Sequence, residues 1–175
     1  MTDCVVCQQV EKKLGVVFED ADIVALLSPT PASAGHIIVA PRQHHVILEQ
    51  VPDWIMGKLF TTANKVSISL FEGLGVHGTN LLIQNGAAAG QTAPHVSVHV
   101  IPRMENDGID LLWQPRQLGE EEMSTIELKV KEETKGLTLE KEPPKPKTEE
   151  PKPKKVEYSL SDEENYLIKS LRRIP

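Results

Sequence analysis

His95, Ser97 and His99 alternate with Val96, Val98 and Val100, and in an extended chain alternate side chains share one face. Two imidazoles and a hydroxyl on one face, backed by β-branched residues, make a polar row facing a cleft. The plainer alternative is a solvated strand face, but two of the chain's six histidines falling on that face favours a site. Directly upstream, Gly86-Ala87-Ala88-Ala89-Gly90 lies between Asn85 and Gln91. Such small residues let backbone N–H groups, with the amides of Asn85 and Gln91, approach phosphate oxygens closely. Alone this is a weak signal, equally that of a Gly/Ala hairpin loop, and its position before the histidines gives it weight. Cys4 and Cys7 are the chain's two cysteines, and their spacing lets both sulfurs reach one metal ion from a tight turn. Free thiols or a redox pair are the other readings, whereas a disulfide framework needs more cysteines at wider spacing.

The elements that must position these residues are legible as apolar runs. Val16 to Phe18, Ile23 to Leu27 and Ile37 to Ala40 read as strands, separated by Glu19-Asp20-Ala21-Asp22 and by Ser28-Pro29-Thr30-Pro31; the first two suggest a hairpin. After Pro52, the residues Ile55, Leu59, Ala63, Val66 and Leu70 recur at three-to-four spacing until Gly73 and Gly75. That pattern predicts an amphipathic helix with proline at its first turn, covering the sheet. Asn80 to Gln84 and His95 to Ile101 are the remaining predicted strands, and Glu120 to Lys135 is a second predicted helix, loosely periodic through Met123, Ile126, Val130 and Leu137. No internal repeat is present.

Charge divides the 175 residues. Residues 1–118 carry 7 basic and 11 acidic side chains against 12 and 14 in 119–175, so the core belongs to the first part. Five prolines among Lys and Glu between Glu142 and Lys155 predict an extended, disordered linker with nothing to bury. The division expected is a domain over 1–140, a linker over 141–156 and a short helical peptide over 157–175. In that peptide Leu160, Tyr166, Leu167, Ile168 and Leu171 lie between an acidic start at Asp162 and a basic end at Arg172-Arg173, the charge order a helix dipole favours. It reads as a docking peptide for a protein partner or as a frayed tail. A net charge of −6 with no basic stripe argues against nucleic-acid binding. With no apolar run of membrane length and no basic, apolar leader, a cytoplasmic location and no membrane partner are expected.

Gly35-His36-Ile37-Ile38-Val39-Ala40-Pro41-Arg42-Gln43-His44, then Asn85-Gly86, Gly90-Gln91 and His95-x-x-x-His99-Val-Ile-Pro-Arg103, together resemble the histidine-triad (HIT) nucleotide-binding superfamily. The resemblance implies an α+β domain, a five-stranded antiparallel sheet with a long covering helix. It further implies a homodimer that binds purine nucleotides or their conjugates and, where active, hydrolyses or transfers at the α-phosphate. The first and third histidines of the His-x-His-x-His motif map to His95 and His99, and the middle one, the nucleophile, to Ser97.

That replacement carries a chemical consequence. An imidazole attacking phosphorus gives a reactive intermediate that water cleaves, whereas a serine hydroxyl needs a positioned base and gives an ester slow to hydrolyse. His95 and His99, each about 6.6 Å along the strand from Ser97 by rise, are the nearby candidates for that base. Ser28 stands where relatives place Asp or Asn to hold ribose hydroxyls, and a serine bonds there more weakly. The resemblance therefore implies Ser97 and His99 as catalytic residues, with Ser28, Asn85, Gly90, Gln91 and His99 contacting nucleotide and phosphate. Members with an N-terminal cysteine pair add two histidines, which map here to His44 and His95, with His45 the rival for the former. Cys4, Cys7, His44 and His95 would then hold a structural zinc ion, since four protein ligands leave no open position. His36 and His77 read as structural or exposed, Arg103 as approaching phosphate or pairing with Glu105 or Asp107, and Trp113 as a buried anchor. The functional rival to an enzyme is a nucleotide sensor or adaptor that has lost its nucleophile.

Overall fold

The structure, a computed structural model, describes residues 4–138. The expected linker over 141–156 and peptide over 157–175 lie outside the described residues. Five strands, β1 (Val16–Glu19), β2 (Ile23–Leu27), β3 (Ile37–Pro41), β4 (Gly78–Ile83) and β5 (Val98–Arg103), form one sheet in the order β1-β2-β3-β5-β4. Every neighbouring pair is antiparallel, so the expected α+β class and five-stranded sheet are present. Three helices accompany it, α1 (Val5–Glu11), α2 (Asp53–Leu74) and α3 (Glu120–Thr134). Among the described residues no helix is long and apolar enough to cross a membrane.

The β1–β2 hairpin closes on Asp20, whose Oδ1 accepts from the backbone N–H groups of Asp22 and Ile23 at 2.8 and 2.7 Å. These bonds hold the Asp20 carboxyl below its usual range, against the opposing effect of its partial burial, and Asp is favoured in such turns for this reason. α2 covers one face of the sheet. Its predicted stripe, Ile55, Leu59, Ala63, Val66 and Leu70, is wholly buried against Ile23, Ala25, Val39, Val98 and Val100, so the helix is held by its apolar face. Gly73 lies inside the helix, and Gly75, at φ 63, ends it with its N–H on the Phe71 carbonyl at 3.1 Å, the left-handed cap that glycine adopts freely. A smaller cluster, Cys4, Val6, Val24, Leu26, Ile38 and Ala40, fills the opposite face under α1.

The second expected helix is present as α3, and the structure differs from the sequence reading at three points. α1 was not anticipated, because seven residues are too few for a clear period; its Val6 and Cys4 are buried against β2 and β3. The strand expected from His95 starts only at Val98, since Val96 donates its N–H to the His45 carbonyl at 2.8 Å instead of to a strand. α3 has no buried residue. Trp113 is 84% exposed beside a Leu112 that is 90% exposed, so the buried anchor is not found within this chain.

Candidate functional site

Val96, Val98 and Val100 all enter the core beneath α2, which leaves Ser97 and His99 on the other face, as the alternation requires. His95 is set apart by the bend before β5. It is 2% exposed, and its Nε2 donates to the Pro41 carbonyl at 2.9 Å. That bond leaves the Nδ1 lone pair pointing at sulfur, 3.5 Å from both Cys4 Sγ and Cys7 Sγ. His44 Nδ1 lies 3.3 Å from Cys7 Sγ, and its ring meets that of His95 edge-on at 5.1 Å.

All four ligand atoms of Cys4, Cys7, His44 and His95 fall within 4.8 Å of one another. A tetrahedral ion bound by two thiolates and two imidazoles needs donor-to-donor edges of about 3.3–3.8 Å, so this group fits a metal with little adjustment. Burial keeps the His95 imidazole below its ordinary pKa, the neutral form a ligand requires, and the Pro41 carbonyl fixes its tautomer. Of the two adjacent histidines, His44 joins the group; buried His45 instead supplies the carbonyl that holds Val96.

A second histidine pair lies on the same face. The Ala32 N–H donates to His36 Nδ1 at 3.0 Å, which places the His36 proton on Nε2. That nitrogen sits 3.1 Å from His99 Nδ1, so His36 donates and His99 accepts. The His99 proton is thereby held on Nε2, available to an oxygen of a bound anion. Burial, then the neighbouring His99, pushes His36 down to about 4, and burial lowers His99 as well. Both rings are neutral at physiological pH. The sequence reading of His36 as structural or exposed did not contain this partnership; the usable signal was its position before β3, whose Ile38 pairs with His99.

Neither histidine near Ser97 retains a basic nitrogen for it. His95 directs Nδ1 to the cysteines and Nε2 to Pro41, while His99 directs its basic Nδ1 to His36. Ser97 Oγ, half-buried, forms no hydrogen bond among the described residues.

The glycine loop is built as a tight 3-10 turn over Ala87–Ala89, with Gly86 at φ 87 and Gly90 at φ 86. A Cβ on Gly90 would meet only Gln84 Nε2, the movable end of a long side chain, so it is the positive φ that calls for glycine there. Gln91 closes the loop, Oε1 accepting from the Gly86 N–H at 2.7 Å and Nε2 donating to the Val46 and Ala93 carbonyls. Asn85 Oδ1 accepts from the Leu48 N–H at 2.9 Å and its Nδ2 donates to Glu49. Both amides are thus engaged in framing the loop, while the N–H groups of Ala87 and Ala88 meet no acceptor among the described residues. Ser28 Oγ accepts from the Thr30 N–H at 3.3 Å, and its own N–H donates to the His36 carbonyl at 2.9 Å. Arg103 pairs with Asp107 through two hydrogen bonds of 2.6 and 2.9 Å and donates to Asn80, which decides its role as a clamp on the segment after β5. His77 is exposed, with Nδ1 accepting from the Glu105 N–H.

Known proteins are similar to this chain. The chain is 33% identical over 118 residues to the adenylylsulfatase HINT3 of Arabidopsis thaliana, a match covering 66% of this chain and 58% of that one. It is 30% identical over 141 residues to the asymmetrical bis(5'-nucleosyl)-tetraphosphatase of Schizosaccharomyces pombe, covering 76% of each. Among solved structures, a zinc-bound histidine triad family protein from Mycobacterium smegmatis superposes with a TM-score of 0.59 at 29% identity, covering 65% of this chain and 84% of that one. The HIT domain family itself matches residues 9–106, more than half of the chain, and the chain belongs to that family.

Proposed function

We propose that this chain binds a purine nucleotide or nucleotide conjugate, with the α-phosphate against His99 Nε2–H and the N–H groups of Ala87 and Ala88, and turns it over slowly. The observation carrying this reading is that Ser97, at the nucleophile position, has no base: the basic nitrogens of His95 and His99 are both committed elsewhere. A hydroxyl without a base is a poor nucleophile at neutral pH, so the two-step covalent route is closed while the anion-binding groups remain. Asn85, Gly90 and Gln91 shape the phosphate loop, and Ser28 lies at the ribose end. Nucleotide hydrolysis or transfer is the second reading, supported by relatives named for adenylyl sulfate and a dinucleoside tetraphosphate; here it would proceed by direct attack of water on phosphorus.

The ion for Cys4, Cys7, His44 and His95 is zinc on this reading, since thiolate and imidazole ligands in a tetrahedron suit it. When bound it supplies cross-linking and no Lewis-acid step, because four protein ligands leave no open position. The exposed apolar residues Phe60, Ile68, Phe71 and Leu74 on α2 and Leu81 on the edge strand β4 support a homodimer through that face. The division at 1–140, 141–156 and 157–175, a cytoplasmic location and a protein partner for the C-terminal peptide complete the reading. Calorimetric titration with AMP and GMP, run beside a turnover assay on adenosine 5'-phosphoramidate, tests it: binding with slow turnover is expected. Failure of both nucleotides to bind overturns the nucleotide assignment.

A further inference from the structure

The metal group contains both of the chain's cysteines, placed unequally. Cys4 is 1% exposed, whereas Cys7 is partly open to solvent. Cys4 is the residue before α1, with extended backbone at φ −88 and ψ 115, and Cys7 lies on the first turn. Residues three apart on a helix have Cβ atoms about 5–6 Å apart, against about 3.5–4.5 Å in a disulfide. The Cys4 carbonyl accepts the first helical bond, from the Gln8 N–H at 3.1 Å, but rotation about the Cys4 Cα–C bond moves its Cβ while leaving that carbonyl in place.

The group also ties distant parts of the chain together. Cys7 reaches across 37 positions to His44 and across 88 to His95. The stretch from His95 to Ser97 belongs to no strand, and besides the cysteines it is held by His95 Nε2 on the Pro41 carbonyl, by His95 N–H on the Ala93 carbonyl and by Val96 N–H on the His45 carbonyl. Two residues beyond lies His99.

We propose that Cys4 and Cys7 are a peroxide-sensitive pair whose oxidation to a disulfide releases the metal ion and weakens nucleotide binding at His99. The proposal rests on the metal-site reading above. Metal ligation keeps both sulfurs as thiolates, the nucleophilic form. The solvent-reachable Cys7 sulfur attacks a peroxide oxygen, the O–O bond breaks and hydroxide leaves, giving a sulfenic acid at Cys7. The Cys4 thiolate then attacks that sulfur and expels a second hydroxide. Two thiolates lose two electrons, one peroxide gains them, and the ion leaves because the disulfide offers it no anionic ligand. The product joins Cys4 to Cys7 but detaches both from His44 and His95, so the lead into β5 keeps its three hydrogen bonds and loses its tie to the N-terminal segment. The binding groups survive in place but are less firmly positioned.

The full chain, loaded with zinc, tests this with AMP as the probe. Hydrogen peroxide is expected to release one zinc per chain, to protect both cysteines from alkylation with a mass loss of two hydrogens, and to weaken AMP binding about fivefold or more. A dithiol reductant with added zinc should restore all three. Linkage requires the reciprocal effect, so saturating AMP should oppose zinc release by the same factor. If no zinc binds at the outset, the metal reading itself is overturned. If zinc binds but peroxide neither releases it nor joins the cysteines, the switch is overturned and the metal reading stands. If the disulfide forms and zinc leaves with AMP affinity unchanged, the link to the nucleotide site is overturned.

Discussion

His36 Nε2 lies 3.1 Å from His99 Nδ1, and the proton between them belongs to His36 because the Ala32 N–H occupies its other nitrogen. One backbone N–H thus determines, through two rings, which nitrogen of His99 can donate to a phosphate oxygen. The ring tautomer here is a product of the fold.

Removing that donor should cost binding. His36→Ala leaves a partly buried acceptor on His99 unpaired, at about 1–3 kcal/mol, and frees its proton to sit on the wrong nitrogen. AMP affinity is expected to fall by about tenfold on that scale. His36→Gln, whose amide can donate at a similar reach, should recover part of the loss in calorimetry, and recovery separates orientation from simple packing.

Ser97 supplies the sharpest kinetic expectation. Ser97→His restores an imidazole nucleophile to an otherwise assembled site, and turnover of adenosine 5'-phosphoramidate should rise by about 10³-fold or more. Ser97→Ala should leave both AMP affinity and residual rate nearly unchanged. A large drop in rate for Ser97→Ala would show that the hydroxyl is activated after all.

Stability should depend on pH through His36. Its imidazole is held at about 4 in the folded chain against an ordinary value of 6.5, so between those values the unfolded chain binds the proton first. Folded stability from this group is therefore complete above pH 6.5 and is lost as pH falls toward 4; His99, lowered by burial, acts in the same direction. Thermal midpoints of the natural chain and of His36→Asn, compared at pH 7.5 and 5.5, should converge as the pH falls.

Chelation should destabilise the fold. An ion bound only by the native state contributes about 2.7 kcal/mol at a free concentration a hundredfold above its Kd, and this one joins α1 to segments 37 and 91 positions away. A thermal midpoint lowered by chelator and restored by zinc is the expected result. Cys4→Ser should show little further response to chelator.

Deletion of 142–175 is expected to leave the unfolding midpoint unchanged. Among the described residues, every member of the two buried clusters lies between Cys4 and Val100, and the expectation rests on that core being sufficient. A midpoint lowered by several degrees in the truncated chain would contradict this.

Much of the frame follows from local pattern. The stripe from Ile55 to Leu70 marked α2 because an apolar face must be buried, and the β-branched runs marked five strands with ends correct to within a few residues, apart from the late start of β5. The metal group was legible in part because two-residue spacing of cysteines is a local signal and the remaining ligands came from resemblance. What local pattern cannot contain is the pairing of residues far apart in sequence. The choice of His44 over His45 depends on how an irregular loop rotates two adjacent side chains, and the placement of His44 Nδ1 3.3 Å from Cys7 Sγ resolves it. The partnership of His36 with His99 spans 63 positions and exists because β3 and β5 lie side by side. The engagement of Asn85 and Gln91 within the loop, and the loss of any base for Ser97, likewise follow from where the folded chain sends each lone pair and each proton, which sequence spacing does not record.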